Sequence, residues 1–148
     1  MQTGAIDLNE FLGHVSANAH FAGIENVTFE PGPVPVRADE YSLEDTVTHI
    51  LRNADRHRIP GKSIVISLTQ SEATASVTIR NEGARIDPAV MENIFEYSVS
   101  DLQGASDSAR RGQGLFVAKT YMAKMGGTLS ARNEKDDVSF TMTLQQAD

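Results

Sequence analysis

A chain of 148 residues with 40% hydrophobic and 22% charged side chains suits a single folded domain with one core. Its 13 Lys and Arg against 20 Asp and Glu leave a net charge of −7, which excludes the broad basic footprint of a duplex nucleic-acid binder but not a local basic loop around phosphates. Cysteine is absent, which removes disulfides, thiolate metal sites and cysteine nucleophiles, and no apolar run nears the roughly 20 residues of a membrane helix. The opening Met1-Gln2-Thr3-Gly4 lacks the basic and apolar regions of a signal peptide. The expectation is one soluble domain over residues 1–148, without repeats or an internal linker, and without membrane contact of its own.

In chain order, Asp7 is placed to cap a helix running to about Phe21, with Leu8, Phe11, Leu12 and Val15 on one stripe. Asn26–Glu30 reads as a short strand, and Pro31, Pro33 and Pro35 then leave room only for an edge strand at Val34–Arg37. Ser42-Leu43-Glu44-Asp45 resembles a capping box with Asp in the place of Glu. It would open a helix carrying Leu43, Val47, Ile50, Leu51 and Ala54, stopped before Pro60-Gly61. Residues 63–69 and 73–80 form a hairpin turned near Ser71-Glu72, with Ala73, Ala75, Val77 and Ile79 on one face of its second strand. Asp87-Pro88 opens a helix expected to reach about Phe95. Residues 98–113, rich in Ser, Gly and Arg, read as a long functional loop. A helix follows with Leu115, Ala118, Tyr121, Met122 and Met125, capped by Gly126-Gly127. Thr128–Arg132 and Val138–Leu144 close the chain as a hairpin turned at Lys135-Asp136-Asp137. This pattern predicts an α+β fold, a two-layer sandwich with helices on one face of a mixed, mainly antiparallel sheet.

Three clusters carry chemistry. His49, Asn53 and His57 recur every four residues and share a helical face, flanked by Arg52, Arg56 and Arg58. That face is open to three readings: a solvated surface with helix-tail cations, a His–His metal site, or an Asn presenting its amide oxygen to hydrated magnesium. Arg80-Asn81-Glu82-Gly83-Ala84-Arg85-Ile86 ends a strand, and its Gly permits close approach to the backbone, though a plain strand-to-helix turn has the same composition. Arg110-Arg111-Gly112-Gln113-Gly114-Leu115 ends the long loop and opens a helix, an arrangement that suits an anion.

Together, and in order from Leu8 to Leu144, these clusters resemble the catalytic, ATP-binding domain of sensor histidine kinases, in the superfamily shared with gyrase B, the Hsp90 chaperones and MutL. Leu43–His57 resembles the N box with its Asn53-Ala54 pair, Asn81–Ile86 the G1 box, Ile94-Phe95-Glu96-Tyr97 the F box, and Gly112–Lys119 the G2 box followed by Met125-Gly126-Gly127-Thr128-Leu129. The resemblance implies the Bergerat-type sandwich and a cofactor pair of ATP and Mg2+. By resemblance, Asn53 holds the magnesium and is catalytic together with Arg56. His57 lines the phosphates and base beside Arg56, and Gly83 lets adenine lie against the backbone. Asn81 and Ile86 of the G1 box belong to the same nucleotide site, as do Arg110, Arg111, Gly112, Gly114 and Leu115 around the triphosphate; residues 98–111 are the mobile lid.

Three departures mark this chain. Asn81 stands where the family usually has an adenine-reading Asp, and so keeps an acceptor oxygen but loses its charge. Arg85 replaces the second Gly of the G1 box and His49 a frequent second Asn of the N box. No His lies on a long two-helix pattern beside an acidic residue, so the phosphoacceptor His is expected on a dimerisation domain outside this sequence. The implied partners are ATP and ADP, that phosphoacceptor domain and a downstream response regulator, with no nucleic acid. The implied setting is the bacterial cytoplasm, for a full-length protein either free or membrane-anchored. The rival readings are a degenerate nucleotide-sensing or protein-interaction module of the same fold, and an anti-sigma-factor Ser kinase.

Overall fold

In the computed structural model, which describes residues 2–18, 24–28, 33–83, 86–91, 94–95 and 108–147, the elements run β1 (Gly4–Asp7), α1 (Leu8–Asn18), β2 (Ile24–Thr28), β3 (Pro35–Ala38), α2 (Glu40–His57), β4 (Ile64–Gln70), β5 (Thr74–Glu82), α3 (Pro88–Met91), α4 (Ser108–Lys124), β6 (Thr128–Asn133) and β7 (Asp137–Gln145). Five strands form one sheet in the order β2-β4-β5-β7-β6, with β2 parallel to β4 and every other pair antiparallel. β1 and β3 form a separate antiparallel ribbon. Its β3 is tied to the end of β7 by a bridge between Val36 and Gln146 and by the Ala147 N–H donating to the Pro35 carbonyl at 2.9 Å. The expected α+β sandwich on a mixed, mainly antiparallel sheet is what the chain forms.

Strand alternation decides what each sheet face does. Register places Ile66, Ile79 and Phe140 side by side in one row, and Leu68, Val77 and Met142 in the next; all six are buried. Each such large apolar side chain taken from water stabilises the fold by about 1.5–3 kcal/mol. α2 and α4 pack against each other, α2 also against β5 and α4 against β6. From them Leu43, Val47, Ile50, Leu51, Ala54, Leu115, Ala118 and Met122 join the core. The opposite sheet face carries hydroxyls that pair across strands, Ser76 with Thr143 at 2.9 Å and Thr78 with Thr141 at 3.2 Å.

Both expected hairpins are present, within a residue or two of their anticipated ends. β1 was not anticipated: Gly4-Ala5-Ile6-Asp7 has no apolar alternation, and it becomes a strand only because β3 lies beside it. Asp7 does cap α1, accepting from the Asn9 N–H at 3.1 Å, and it also accepts from the Val34 N–H at 2.9 Å, which joins the helix start to the segment entering β3. The expected continuation of α1 to Phe21 and of β2 to Glu30 lies outside the described residues.

α2 starts earlier than the Ser42 capping box implies. Asp39 is its N-cap, accepting from the Ser42 hydroxyl at 2.7 Å and the Ser42 N–H at 2.9 Å. Asp39 thus takes the acceptor role expected of Ser42, and Ser42 becomes the donor. These two bonds, the hydroxyl's first, hold the Asp39 carboxyl below its ordinary range. At the other end of the helical layer, α4 closes with Gly126 at positive φ (+79°), its N–H donating to the Ala123 carbonyl at 3.0 Å and that of Gly127 to the Met122 carbonyl at 2.8 Å. This pair of reversed bonds is the Schellman cap, and the two glycines expected to end the helix form it. A methyl group on Gly127 would collide with the Thr143 carbonyl oxygen and crowd Met122 Cε at 3.0 Å.

Two outcomes follow for stability. Gly127→Ala should lower unfolding free energy by about 1–3 kcal/mol, through overpacking against β7, in urea denaturation; an unchanged midpoint would show that the joint can give. Asp39 has a depressed folded pKa, so its stabilisation is complete above the unfolded value of about 3.9 and is lost as pH falls through the folded value. The stability gap between the parent and Asp39→Ala should be full at neutral pH and narrow below about pH 3.9. A gap that stays constant through that range refutes the carboxylate cap.

Candidate functional site

Five of the candidate residues, Asn53, Arg56, His57, Asn81 and Gly83, lie on or beside the two elements that meet where α2 ends against β5. Asn53 sits on α2 one position before the buried Ala54 and is itself 8% exposed, so the polar residue of the expected magnesium position is buried at the helix surface. Arg56 and His57 lie in the last turn of α2 and are exposed; cations there also complement the negative end of the helix dipole. Arg58 caps the helix, its N–H donating to the Ala54 carbonyl at 2.9 Å, while its guanidinium pairs with Asp55 at 2.8 Å and donates to the Lys62 carbonyl at 3.3 Å. One turn before Asn53, His49 pairs with Asp45 at 3.3 Å.

The chain then runs directly alongside β5. Arg58 bridges Gly83 antiparallel, the Ile59 N–H donates to the Glu82 carbonyl at 2.8 Å, and Lys62 faces Glu82 at 3.7 Å. A Cβ on Gly83 would collide with the His57 carbonyl oxygen and lie 3.2 Å from Asn81 Nδ2. The close approach that a glycine was expected to permit is therefore made, in the first instance, by the end of α2 itself.

Asn81 is the residue of this junction most at odds with its surroundings. It continues the buried phase of Ala75, Val77 and Ile79 and is 2% exposed. Register flanks it with Ile64 on β4 and Val138 on β7, both buried and apolar. Its Nδ2 has no hydrogen-bond partner among the described residues. An unsatisfied buried donor costs about 1–3 kcal/mol, so this amide is a polar group in need of an acceptor that no described residue supplies. A purine edge is such an acceptor, and on this point the residues present fit the implied nucleotide.

Ile86 is held by a contact that sequence reasoning missed. Its N–H donates to Asn133 Oδ1 at 2.9 Å and its carbonyl accepts from Asn133 Nδ2 at 2.8 Å. Asn133 ends β6, 47 residues away, and no local signal reveals such a pairing. α3, expected to reach about Phe95, spans Pro88–Met91, with Asp87 accepting from the Ala89 N–H at 2.8 Å; residues 92 and 93 lie outside the described ones. Phe95 meets Phe140 edge-on at 6.2 Å and carries Lys119 Nζ 5.0 Å above its ring, so this aromatic is fixed to the core and to α4 at once.

The helix at the glycine-rich segment begins earlier than expected. α4 starts at Ser108, so its unpaired first-turn N–H groups belong to residues 108–111 and not to Gly112–Leu115. Ala109, Arg110, Arg111 and Gln113 are adequate helix formers, and the helix runs through Gly112 and Gly114 despite their cost. Leu115 is the first residue of α4 seen to enter the core, at 3% exposure. Residues 98–107 of the expected lid, and Arg85, lie outside the described residues. Among the described residues no three His, Asp or Glu side chains form a metal cluster.

Residues 38–148 match the family described as histidine kinase-, DNA gyrase B- and HSP90-like ATPases. The chain belongs to this family. It is 31% identical over 106 residues to the sensor protein DltS of Streptococcus agalactiae, a match covering 72% of this chain and 27% of that protein. Among solved structures, the catalytic domain of histidine kinase ThkA superposes with a TM-score of 0.82 at 18% identity over the whole of both chains. The mycobacterial sensor histidine kinase MprB gives 0.78 at 21% identity over 98% of each. The fold is thus that of a histidine-kinase catalytic domain, and the chain spans about a quarter of the streptococcal relative's length. No helix among the described residues is long and apolar enough to cross a membrane.

Gly83→Ala should disrupt the α2–β5 junction from the strand side. We expect a loss of about 1–3 kcal/mol in unfolding free energy, with faster amide exchange at Ile59, whose N–H bonds to β5 beside Gly83. Exchange at Ile59 that matches the parent's would show that the junction does not depend on the glycine.

Proposed function

We propose that this chain is the ATP-binding catalytic domain of a two-component sensor histidine kinase, which binds Mg-ATP and presents its γ-phosphoryl group to a His on a dimerisation domain outside the chain. Family membership supports the nucleotide. The observation that carries the reading to particular residues is the α2–β5 junction, where Asn53 and Asn81 are both buried and the Asn81 amide nitrogen has no partner among the described residues.

In this reading Asn81 faces the base, with Gly83 and Ile86 beside it. Ile86 is tied to Asn133 by two hydrogen bonds, which support the backbone that bounds the base in this reading. Asn53 offers its amide oxygen to the magnesium, one helical turn from the exposed Arg56 and His57, which offset phosphate charge. Arg110 and Arg111, in the first turn of α4, offset triphosphate charge, with Gly112, Gly114 and Leu115 following them along the helix, and residues 98–111 act as the lid, its last four residues being that first turn. Magnesium supplies charge neutralisation across the phosphate oxygens. Transfer of this kind depends on positioning and electrostatics more than on covalent chemistry by the protein. The attacking imidazole nitrogen, and any base that takes its proton, come from the phosphoacceptor domain. The bond from the γ-phosphorus to its bridging oxygen breaks as the new nitrogen–phosphorus bond forms, and ADP leaves. A response regulator then receives the phosphoryl group. The reading places the domain in the bacterial cytoplasm, as part of a protein that is either free or membrane-anchored.

Asn53→Ala should test the magnesium role. Ala is the better helix former, so the variant should fold. Its affinity for ATP in magnesium buffer should fall at least about tenfold, equivalent to about 1.4 kcal/mol, while ATP binding in EDTA should match the parent's. Calorimetry showing unchanged affinity in magnesium would remove Asn53 from the site.

A further inference from the structure

The chemistry of position 81 goes further than the choice of nucleotide. Adenine is distinguished from the 6-oxopurines along one edge. Adenine donates from its 6-amino group and accepts at N1; hypoxanthine and guanine accept at O6 and donate from N1. An ionised carboxylate only accepts. Placed at this edge, it pairs with the adenine amino group and faces the lone pairs of an O6 without a proton to offer. A carboxamide carries one acceptor and two donor hydrogens. It can meet adenine with its oxygen toward the 6-amino group and its nitrogen toward N1, using the same acceptor–donor pair that Asn turns to adenine N6 and N7 on the other edge. Turned by half a rotation about its last side-chain bond, it meets O6 with its nitrogen and the N1 hydrogen with its oxygen, again with two bonds.

Whether it can turn depends on what else holds it. The cross-strand neighbours of Asn81 are Ile64 and Val138, which offer side-chain hydrogen bonds to neither orientation. Asn81 Nδ2 has no hydrogen-bond partner among the described residues, and the residue is 2% exposed. No acceptor among the described residues fixes which end of the amide faces the base, so it can turn either its oxygen or its nitrogen to a purine edge. From this we infer that the base pocket does not discriminate adenine from 6-oxopurines, and that the domain accepts inosine and guanosine triphosphates beside ATP. The inference rests on the reading above in which Asn81 faces the base.

The test uses the 148-residue chain, with ATP and inosine triphosphate in magnesium buffer. Inosine triphosphate is the cleaner probe, because guanine adds a 2-amino group next to N1 whose fit is a separate question. The parent should bind the two nucleotides with affinities within about threefold of each other, since both edges make two neutral bonds. Asn81→Asp should bind ATP more tightly than the parent and inosine triphosphate at least about tenfold more weakly than ATP, because the carboxylate has no proton for O6. A parent that favours ATP tenfold or more overturns the inference without recourse to any variant. An Asn81→Asp protein with the parent's ratio overturns it too, by removing Asn81 from the base edge. A parent that binds neither nucleotide overturns the nucleotide-site reading itself, a result distinct from one in which ATP binds and inosine triphosphate does not.

Discussion

The end of α2 is pressed against the end of β5, and the placing of the candidate site residues on both elements depends on that contact. The His57 carbonyl occupies the space that a side chain at 83 would fill, and the Ile59 N–H completes the joint by donating to Glu82. Helix and strand meet at a fixed height, so residues on successive turns of α2 and on the last positions of β5 are brought into one small region. Asn53, Arg56 and His57 come from the helix, Asn81 from the strand and Gly83 from the residue just after it. A longer side chain at 83 would separate the two elements and disperse the groups that the boxes of the sequence contribute separately.

The same joint explains how a buried amide persists in an apolar row. Strand register leaves position 81 no choice of face: it follows Ala75, Val77 and Ile79 into the sheet's covered side. An apolar residue would pack there between Ile64 and Val138 at no polar cost. Asn instead leaves a donor without a partner among the described residues, and such local inconsistency is characteristic of functional positions. Elsewhere the covered face is conventional, and Phe140 at its centre also anchors Phe95 and, through it, Lys119 on α4. The segment leading toward the expected lid is thereby fastened to the core at one end, and Leu115 and Ala118 fasten α4 at the other.

Much of this was legible from the residues. The alternation of residues 73–79 fixed a strand and its covered face, and extending it by one step places Asn81 inside. Leu43, Val47, Ile50, Leu51 and Ala54 defined α2, and Gly126-Gly127 defined the end of α4. These are local signals, set by side-chain periodicity and by the conformational freedom of glycine, and they survive whatever the rest of the chain does. The order of the four boxes then pointed to the family and to the residues of the site.

Tertiary structure decided what depends on groups distant in the chain. β1 exists because β3 lies beside it, the base of α2 is capped by Asp39 because the backbone enters from that ribbon, and Ile86 is held by Asn133 from across the sheet. The start of α4 at Ser108 follows the same logic: the glycines at 112 and 114 raise the cost of a helix but do not prohibit one, so composition alone sets no boundary there. The role of Gly83 and the unpartnered state of Asn81 were equally out of reach. Both depend on which atoms approach from other elements, and a hydrogen bond or a steric contact is a property of two groups in space, only one of which a local stretch of sequence contains.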